Sequence, residues 1–288
     1  MADPHHPALA IRALHHFDEF RQVMALESAI WGYTDPEDAV GIPMFVITLK
    51  RGGLLLGAFD GDRMVAFVYS IAGIKRGRAT QWSHMLGVLP DYRGTGIGRE
   101  LKLEQRRASM AMGLDLMEWT YDPLQTVNAH LNFRRLGVVV EEYVENVYGD
   151  SSSLLHQGNP TDRFIAQWWM RSSRVECAIA ARTDAAAGAV PADANWGEAL
   201  PVNAPSRGGR WIGCGEITLG ADAPWLTVTI PGGFTEMLSG DAGLAGAWRL
   251  ATRQLFAHYL GRGYTVVDFE LHANRQHGRY LLTNTTRP

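Results

Sequence analysis

Three glycines alternate in Val88-Leu-Pro-Asp-Tyr-Arg93-Gly94-Thr95-Gly96-Ile97-Gly98, between a run that reads as a strand and a stretch that reads as a helix. Glycine has no Cβ, so the backbone of such a turn can come within hydrogen-bonding distance of a bulky anion. The N–H groups in the next helix's first turn have no acceptor inside the helix, and the helix dipole favours negative charge there. Arg93 adds a guanidinium able to grip phosphate oxygens in two places. Arg93, Gly94, Thr95, Gly96, Ile97 and Gly98 therefore read as a pyrophosphate cradle. The spacing departs from two common phosphate loops. A dinucleotide fingerprint is G-x-G-x-x-G after the first strand, with an acidic residue about 20 positions on. A P-loop needs Gly-Lys-Ser/Thr, which is absent. A glycine turn that feeds a helix and binds nothing stands as the bland alternative.

The elements around this loop can be read from periodicity. Ala10–Leu14 predicts a short strand, and Phe17, Phe20, Val23, Met24, Glu27 and Trp31 recur at helical spacing. A helix over Met44–Lys50 stops at Gly52-Gly53. Leu54–Phe59 and Met64–Ile71 form a hairpin about Asp60-Gly61-Asp62. Gln81–Val88 is a strand, Gly98–Met112 a helix, Leu114–Tyr121 a strand, Asn128–Leu136 a helix, and Val138–Tyr148 strand-rich. The order predicts an α/β fold with a mixed sheet and helices on its faces. Residues 183–210 are rich in Ala, Pro and Gly and read as a linker. With the boundary near 175, residues 1–175 form one domain and 176–288 a C-terminal α+β lobe. In that lobe Trp211–Leu219 and Trp225–Ile230 read as strands. A helix from Asp241 carries Leu244, Trp248, Ala251, Leu255 and Tyr259 on one face and ends at Gly263, and strands Thr265–Leu271 and Arg279–Leu282 follow. This helix–Gly–strand–strand order repeats that of 98–148, as a degenerate second half would.

Arg93-Gly94-Thr95-Gly96-Ile97-Gly98 resembles the R/Q-x-x-G-x-G/A signature of the GCN5-related N-acetyltransferase (GNAT) superfamily. Met85–Tyr92 is similar to that family's strand and turn, and Asn128-Ala129 through Phe133-Arg134-Arg135-Leu136-Gly137 to its second motif. The resemblance covers about residues 10–150. Trp119-Thr-Tyr-Asp-Pro-Leu124 with Asn128-Ala-His-Leu-Asn132 resembles a bacterial branch in which some members are similar to amino-acid N-succinyltransferases.

The resemblance implies an acyl-CoA N-acyltransferase fold and a direct attack of an amine on a thioester, with acetyl-CoA or succinyl-CoA as co-substrate. The pyrophosphate would lie on the amides of Arg93 to Gly98. The pantetheine arm would pair with the backbone of Leu86 and Val88, where the fourth and fifth strands splay apart. Such a site needs a proton acceptor, an oxyanion donor and a proton source for the thiolate. A backbone amide near Leu86 or Gly87 suits the oxyanion. His84 is the first choice of base, on the face of Leu86 and Val88 if alternation holds, with an unperturbed pKa of about 6.5. A core histidine bonded to a carbonyl is its bland reading. Glu118 is the other candidate, unless it faces solvent, and Asp122 reads as a turn former before Pro123. The family's leaving-group tyrosine falls at Phe133, which has no proton to give. Tyr121, Tyr143 or a water would serve instead, with Phe133 packing on the sulfur. Asn128 would bond the pantetheine amides or cap a helix, and Asn132 reads as structural.

The remaining features exclude more than they suggest. His5-His6 and His15-His16 lack carboxylate or cysteine company, so no metal is expected. Cys177 and Cys214 are too few for a disulfide scaffold. Trp168-Trp169 and Trp248 read as packing. Arg171, Arg174, Arg249 and Arg253 suit either a substrate carboxylate or a solvated face. With 288 residues, 27 basic against 30 acidic residues and a net charge of −3, nothing calls for nucleic acid or an anionic membrane. The apolar runs fall short of the roughly 18 residues of a membrane span. The first residues show no basic region followed by an apolar one, so a cytoplasmic protein is expected, with a homodimer left open. The expected function is CoA-dependent acetyl or succinyl transfer to a small amine such as an amino acid. The rival readings are a non-catalytic acyl-CoA sensor, which Phe133 favours, and a partner-binding module.

Overall fold

The computed structural model describes residues 9–33, 38–149, 159–181, 195–206 and 209–285. It is a mixed α/β structure, as the element order predicts, and its chain forms two compact units that change over after Trp119. The sequence texture puts a boundary near 175 instead. The change occurs within a strand, and nothing in a strand's composition marks such a passage.

The first unit contains β1 (Ala10–Ala13), α1 (Phe17–Trp31), α2 (Ile42–Leu49), β2 (Leu54–Asp60), β3 (Arg63–Lys75), β4 (Arg78–Val88), α3 (Ile97–Ala111) and the first part of β5 (Leu116–Tyr121). Its strands lie in the order β1-β2-β3-β4-β5. Asp60 pairs with Arg63 across the expected tight turn. The β3–β4 hairpin runs further than periodicity indicates, to a tip at Arg76-Gly77 with both residues at positive φ. Lys75, Arg76 and Arg78 make that tip polar, so the apolar pattern ends before the strands do. One face of the sheet packs on α1 and α2 through Phe20, Val23, Phe45, Phe67, Tyr69 and Met85. The other packs on α3 through Leu56, Ala58, Val68, Ile97 and Leu101. Each large apolar side chain buried this way contributes about 1.5–3 kcal/mol. The end of α1 presses on β4 so closely that a Cβ at Gly87 would lie 2.8 Å from Ile30 and from Phe67.

The second unit takes up the end of β5, then α4 (Thr126–His130) with a π-helical turn (Leu131–Leu136), β6 (Val139–Val144), β7 (Arg163–Trp169), α5 (Ser173–Ala180), β8 (Leu200–Pro201), β9 (Trp225–Pro231), α6 (Phe234–Gly240), α7 (Ala242–Gly261), β10 (Thr265–Leu271) and β11 (His277–Thr283). Its strand order β7-β6-β10-β11-β9-β8 sets two hairpins back to back, joined by the antiparallel bridge of Val140 and Val266. Each hairpin follows a helix that ends at a left-handed glycine, Gly137 or Gly263. The helix–glycine–strand–strand order thus recurs with α7 matching the 126–136 helix, whereas the sequence reading matched it to 98–112. Trp211–Leu219 is not a strand but a loop held by two single bridges, Asn203 to Ile217 and Ser206 to Gly213. The described part of the linker-like stretch is also structured, since Leu200–Pro201 pairs with β9 and the Asn203 amide bonds Thr229 in both directions at 2.8 Å. Residues 183–194 of that stretch, and His5-His6, lie outside the described residues.

Candidate functional site

The cradle is built by a short helical turn and a glycine N-cap. Pro90–Tyr92 forms one turn of 3₁₀ helix, pinned by the Tyr92 hydroxyl donating to Asp60 Oδ2 at 2.6 Å. The chain then turns through Gly94 at φ 80 and Gly96 at φ 90, the left-handed region that favours glycine. α3 starts at Ile97 with Gly96 as N-cap, which has no side chain to offer, and Thr95 Oγ1 accepts the Ile97 N–H at 3.4 Å. A Cβ at Gly94 or Gly96 would meet nothing within 4 Å, and at Gly98 it would meet Leu86 and Val88 at 3.7 and 3.8 Å. Conformation, and not space, thus requires two of the three glycines, while Gly98 would accept an alanine. Thr95 donates its hydroxyl to the Tyr92 carbonyl at 2.8 Å and holds the turn closed.

Beside this loop, β4 has an edge that no described strand pairs beyond Trp82. It pairs in parallel with β5 only at Gln81–Met117 and Trp82–Glu118. On its other side the Leu89 N–H donates to the Val65 carbonyl at 3.0 Å. Hydrogen-bonded pairs alternate along an antiparallel ladder, so Gly87 with Phe67 and Met85 with Tyr69 are also bonded pairs. The intervening Leu86 and Val88 turn their N–H and C=O groups away from β3, toward the β5 side. The Val88 carbonyl is reached there by Arg93 Nε at 3.2 Å. Of the two amides suggested for an oxyanion, Leu86 is therefore the open one and Gly87 is spent on the ladder.

His84 is placed differently from the alternation argument. The register slips between Tyr69–Met85 and Ser70–Ser83, which leaves His84 as the extra residue of a β-bulge. Leu86 and Val88 pack on the α3 side, whereas the His84 ring stands edge-on to Tyr69, 6.1 Å between centroids, on the α1–α2 side. The bulge shifts the phase of the strand, so residues 84 and 86 do not share a face. His84 is an exposed residue, not a core one, and desolvation of its ring lowers its pKa below 6.5.

Behind Tyr69 lies a carboxylate that sequence reasoning did not select. Glu27 of α1 is fully buried. Its Oε2 accepts the Val40 N–H at 3.2 Å, and its Oε1 has no partner among the described residues. Burial, opposed only by the Val40 bond, pushes its pKa up to about 7. The buried Tyr69 shares a 2.7 Å hydrogen bond with Thr48 of α2. Its own pKa is raised by burial, and the Glu27 charge adds to the rise. The available signal was position: Glu27 occupies an apolar place in the α1 stripe.

Glu118 neither faces solvent nor stands free, because it is buried and ion-paired with Lys75. On the α3 side Lys102 is buried without a carboxylate, its Nζ 2.7 Å from Ser83 Oγ and 3.7 Å above the Trp119 ring. Burial lowers its pKa well below the usual lysine value.

The other selected residues belong to the second unit. Tyr121 is buried edge-on to Phe164, and burial drives its pKa well above 10. Phe133 packs edge-on to Tyr280, 5.8 Å between centroids. Asn128 is exposed and third in α4, whose N-cap is Gln125, so it caps nothing. Asp122 does form the expected turn, accepting the Leu124 N–H at 2.9 Å. It also takes both ends of the Arg249 guanidinium, at 2.9 and 2.6 Å. Asp162 takes Arg253 in the same way, at 2.9 and 2.7 Å, plus the Tyr143 hydroxyl at 2.6 Å. These two arginines are thus neutralised from within and do not await a substrate carboxylate. Arg174 donates to the Gly137 carbonyl at 3.1 Å and to Val267.

Among the described residues no group of three His, Cys, Asp or Glu could hold a metal ion, and no helix is long and apolar enough to cross a membrane. No family model and no curated protein matches the chain. Solved structures do resemble it. A protein classed with the GNAT-family acetyltransferases from Desulfovibrio desulfuricans shares 18% identity over 57% of this chain and 99% of its own, with a TM-score of 0.45. The ribosomal-protein-S18-alanine N-acetyltransferase of Escherichia coli shares 17% over 58% and 96%, at 0.43. An aminoglycoside 6'-acetyltransferase type Ii shares 16% over 57% and 98%, also at 0.43.

Proposed function

We propose that the chain is a CoA-dependent N-acyltransferase of the GNAT type, moving an acetyl or succinyl group from acyl-CoA to a small amine. Amino acids are the first acceptor class to test. The observation that carries this reading is the junction of a glycine-capped loop with a β4 edge that no described strand pairs beyond Trp82. One feature suits a pyrophosphate, the other an extended amide chain, and they adjoin at Val88. The acyl thioester supplies the electrophile. The protein's part is to hold and polarise it. The amides from Gly94 to Gly98 receive the pyrophosphate, and the Arg93 guanidinium moves off Val88 to reach it, while the Arg93 N–H stays on the Pro90 carbonyl. Leu86 and Val88 pair with the pantetheine arm, and the Leu86 N–H faces the carbonyl oxygen as negative charge develops. His84, neutral at pH 7 because its pKa is lowered, accepts a proton from the acceptor amine. Glu118 is engaged by Lys75. Tyr121 holds its proton too tightly to protonate a thiolate readily, so the thiolate leaves unaided or takes its proton from water.

The test is release of free CoA from acetyl-CoA and succinyl-CoA across a panel of D- and L-amino acids and simple amines, with His84→Ala alongside. Amine-dependent release that falls at least tenfold in the variant supports the enzyme and the base together. Release untouched by the variant keeps the enzyme and removes His84 as base. Tight CoA binding without release from any pair favours the sensor reading, to which Phe133 points.

A further inference from the structure

Building on the acyltransferase reading, we propose that Glu27 is the acceptor-side counter-charge of this site, a positioning residue that must be ionised for a cationic amine to bind. The argument begins with an orphan. A buried carboxylate normally finds donors for both oxygens or a cation for its charge, since leaving one unpaired costs about 1–3 kcal/mol. Glu27 has one long hydrogen bond and nothing on Oε1. No basic side chain acts on it, so the site holds a negative charge that the described residues leave uncompensated.

Its location gives that charge a use. Glu27, Tyr69 and His84 come from α1, β3 and β4 and lie on one side of the sheet, where the bulge turns the exposed His84 out at the β4 edge. The titratable groups facing Glu27 are few. β3 contributes Tyr69, and β4 contributes His84 beyond it. α2 brings Thr48, which does not titrate, and the described part of the connector brings the Val40 N–H. On α1 itself Asp18 and Arg21 pair with each other at the surface, and Glu19 is held by Arg12. An ammonium arriving at His84 therefore meets a weakly screened negative charge behind Tyr69, with no competing cation on it among the described residues. Glu27 does not touch the amine. It favours cationic acceptors over neutral isosteres of the same shape.

A proton balance follows. Protonated Glu27 gives its proton to solvent as the ammonium binds, leaving carboxylate and cation in the complex. Amine affinity then rises with pH through the Glu27 titration, about tenfold from pH 6 to pH 8, and binding at pH 7 releases about half a proton.

The experiment is calorimetric titration of the whole protein with phenethylammonium, in buffers of different ionisation enthalpy, with phenethyl alcohol as the neutral control. The expected result is proton release and pH-dependent affinity in the wild type. Both should be lost in Glu27→Gln, which still accepts the Val40 N–H, and retained with a moved midpoint in Glu27→Asp. His84→Asn should keep the dependence, since His84 titrates at lower pH. CoA affinity should not change in Glu27→Gln. Affinity that is flat with pH, equal proton release in Glu27→Gln, or no binding of the ammonium would overturn the proposal. The CoA-release assay scores the acyltransferase reading separately, so the two can fail independently.

Discussion

Two buried glutamates stand two turns apart on α1 and meet opposite fates. Glu19, at the N-terminal end, is fully engaged. Its Oε2 accepts the His15 and His16 N–H groups at 2.7 and 3.0 Å, and its Oε1 pairs with Arg12. Burial would raise its pKa, but these donors outweigh burial and bring it down to about 2. Glu27 has a single donor and rises to about 7. The second unit repeats the first pattern, since burial would raise Asp122 and Asp162 but Arg249 and Arg253 hold both below the usual carboxylate range. Where a buried carboxylate serves the fold, this chain supplies the cation or the amides. Where it does not, the charge is left for something else to meet.

The comparison can be broken most forcefully at the paired end. Arg249→Ala leaves Asp122 without its bidentate partner, held by the Leu124 N–H, and should cost about 3–5 kcal/mol in urea unfolding. A loss under 1 kcal/mol would mean that the pair is not structural. The orphan should behave in reverse. An acid whose folded pKa is raised from 4.5 to about 7 binds more protons folded than unfolded, so its stability contribution falls as pH rises through that window. Glu27→Gln should therefore stabilise the protein by up to about 3 kcal/mol above pH 7 and by nothing below pH 4. A destabilised variant would mark Glu27 as structural. Lys102 is the basic counterpart of Glu27. Its lowered folded pKa makes stability rise with pH from that lowered value up to the unfolded one near 10.5, where the unfolded lysine also becomes neutral, and Lys102→Met should flatten that slope in thermal melts. Glu19→Gln has the smallest effect, about 1 kcal/mol at pH 7, the value of a helix cap. In the wild type, Glu19's contribution is lost as pH falls from 4.5 toward 2. Flat stability over that acid window would contradict the capping account.

The shape of the Arg93–Gly98 loop was legible because it is local: glycines at fixed offsets, a strand before and a helix after. The Asp60-Gly61 hairpin and the ends at Gly137 and Gly263 were legible for the same reason. What escaped depends on partners far apart in sequence. Lys75 meets Glu118 across 43 positions and Asp122 meets Arg249 across 127. So Glu118 reads from sequence as a base or a solvent-facing acid, and Arg249 and Arg253 as a substrate clamp or a solvated face. The His84 face was misjudged because a bulge adds one residue without any mark in an alternating pattern. Glu27 was visible as a carboxylate in an apolar stripe, but only the folded protein shows that nothing answers its Oε1.

The account rests most directly on whether the cradle and the β4 edge receive a CoA thioester. Equilibrium binding of CoA to the wild type, Gly96→Val and Gly98→Ala tests it with built-in contrast. A branched side chain at φ 90 is strained, whereas a Cβ at position 98 meets only ordinary contacts. The predicted result is saturable CoA binding, weakened at least about tenfold by Gly96→Val and less than about threefold by Gly98→Ala. No binding by the wild type, or equal affinity in wild type and Gly96→Val, would contradict it.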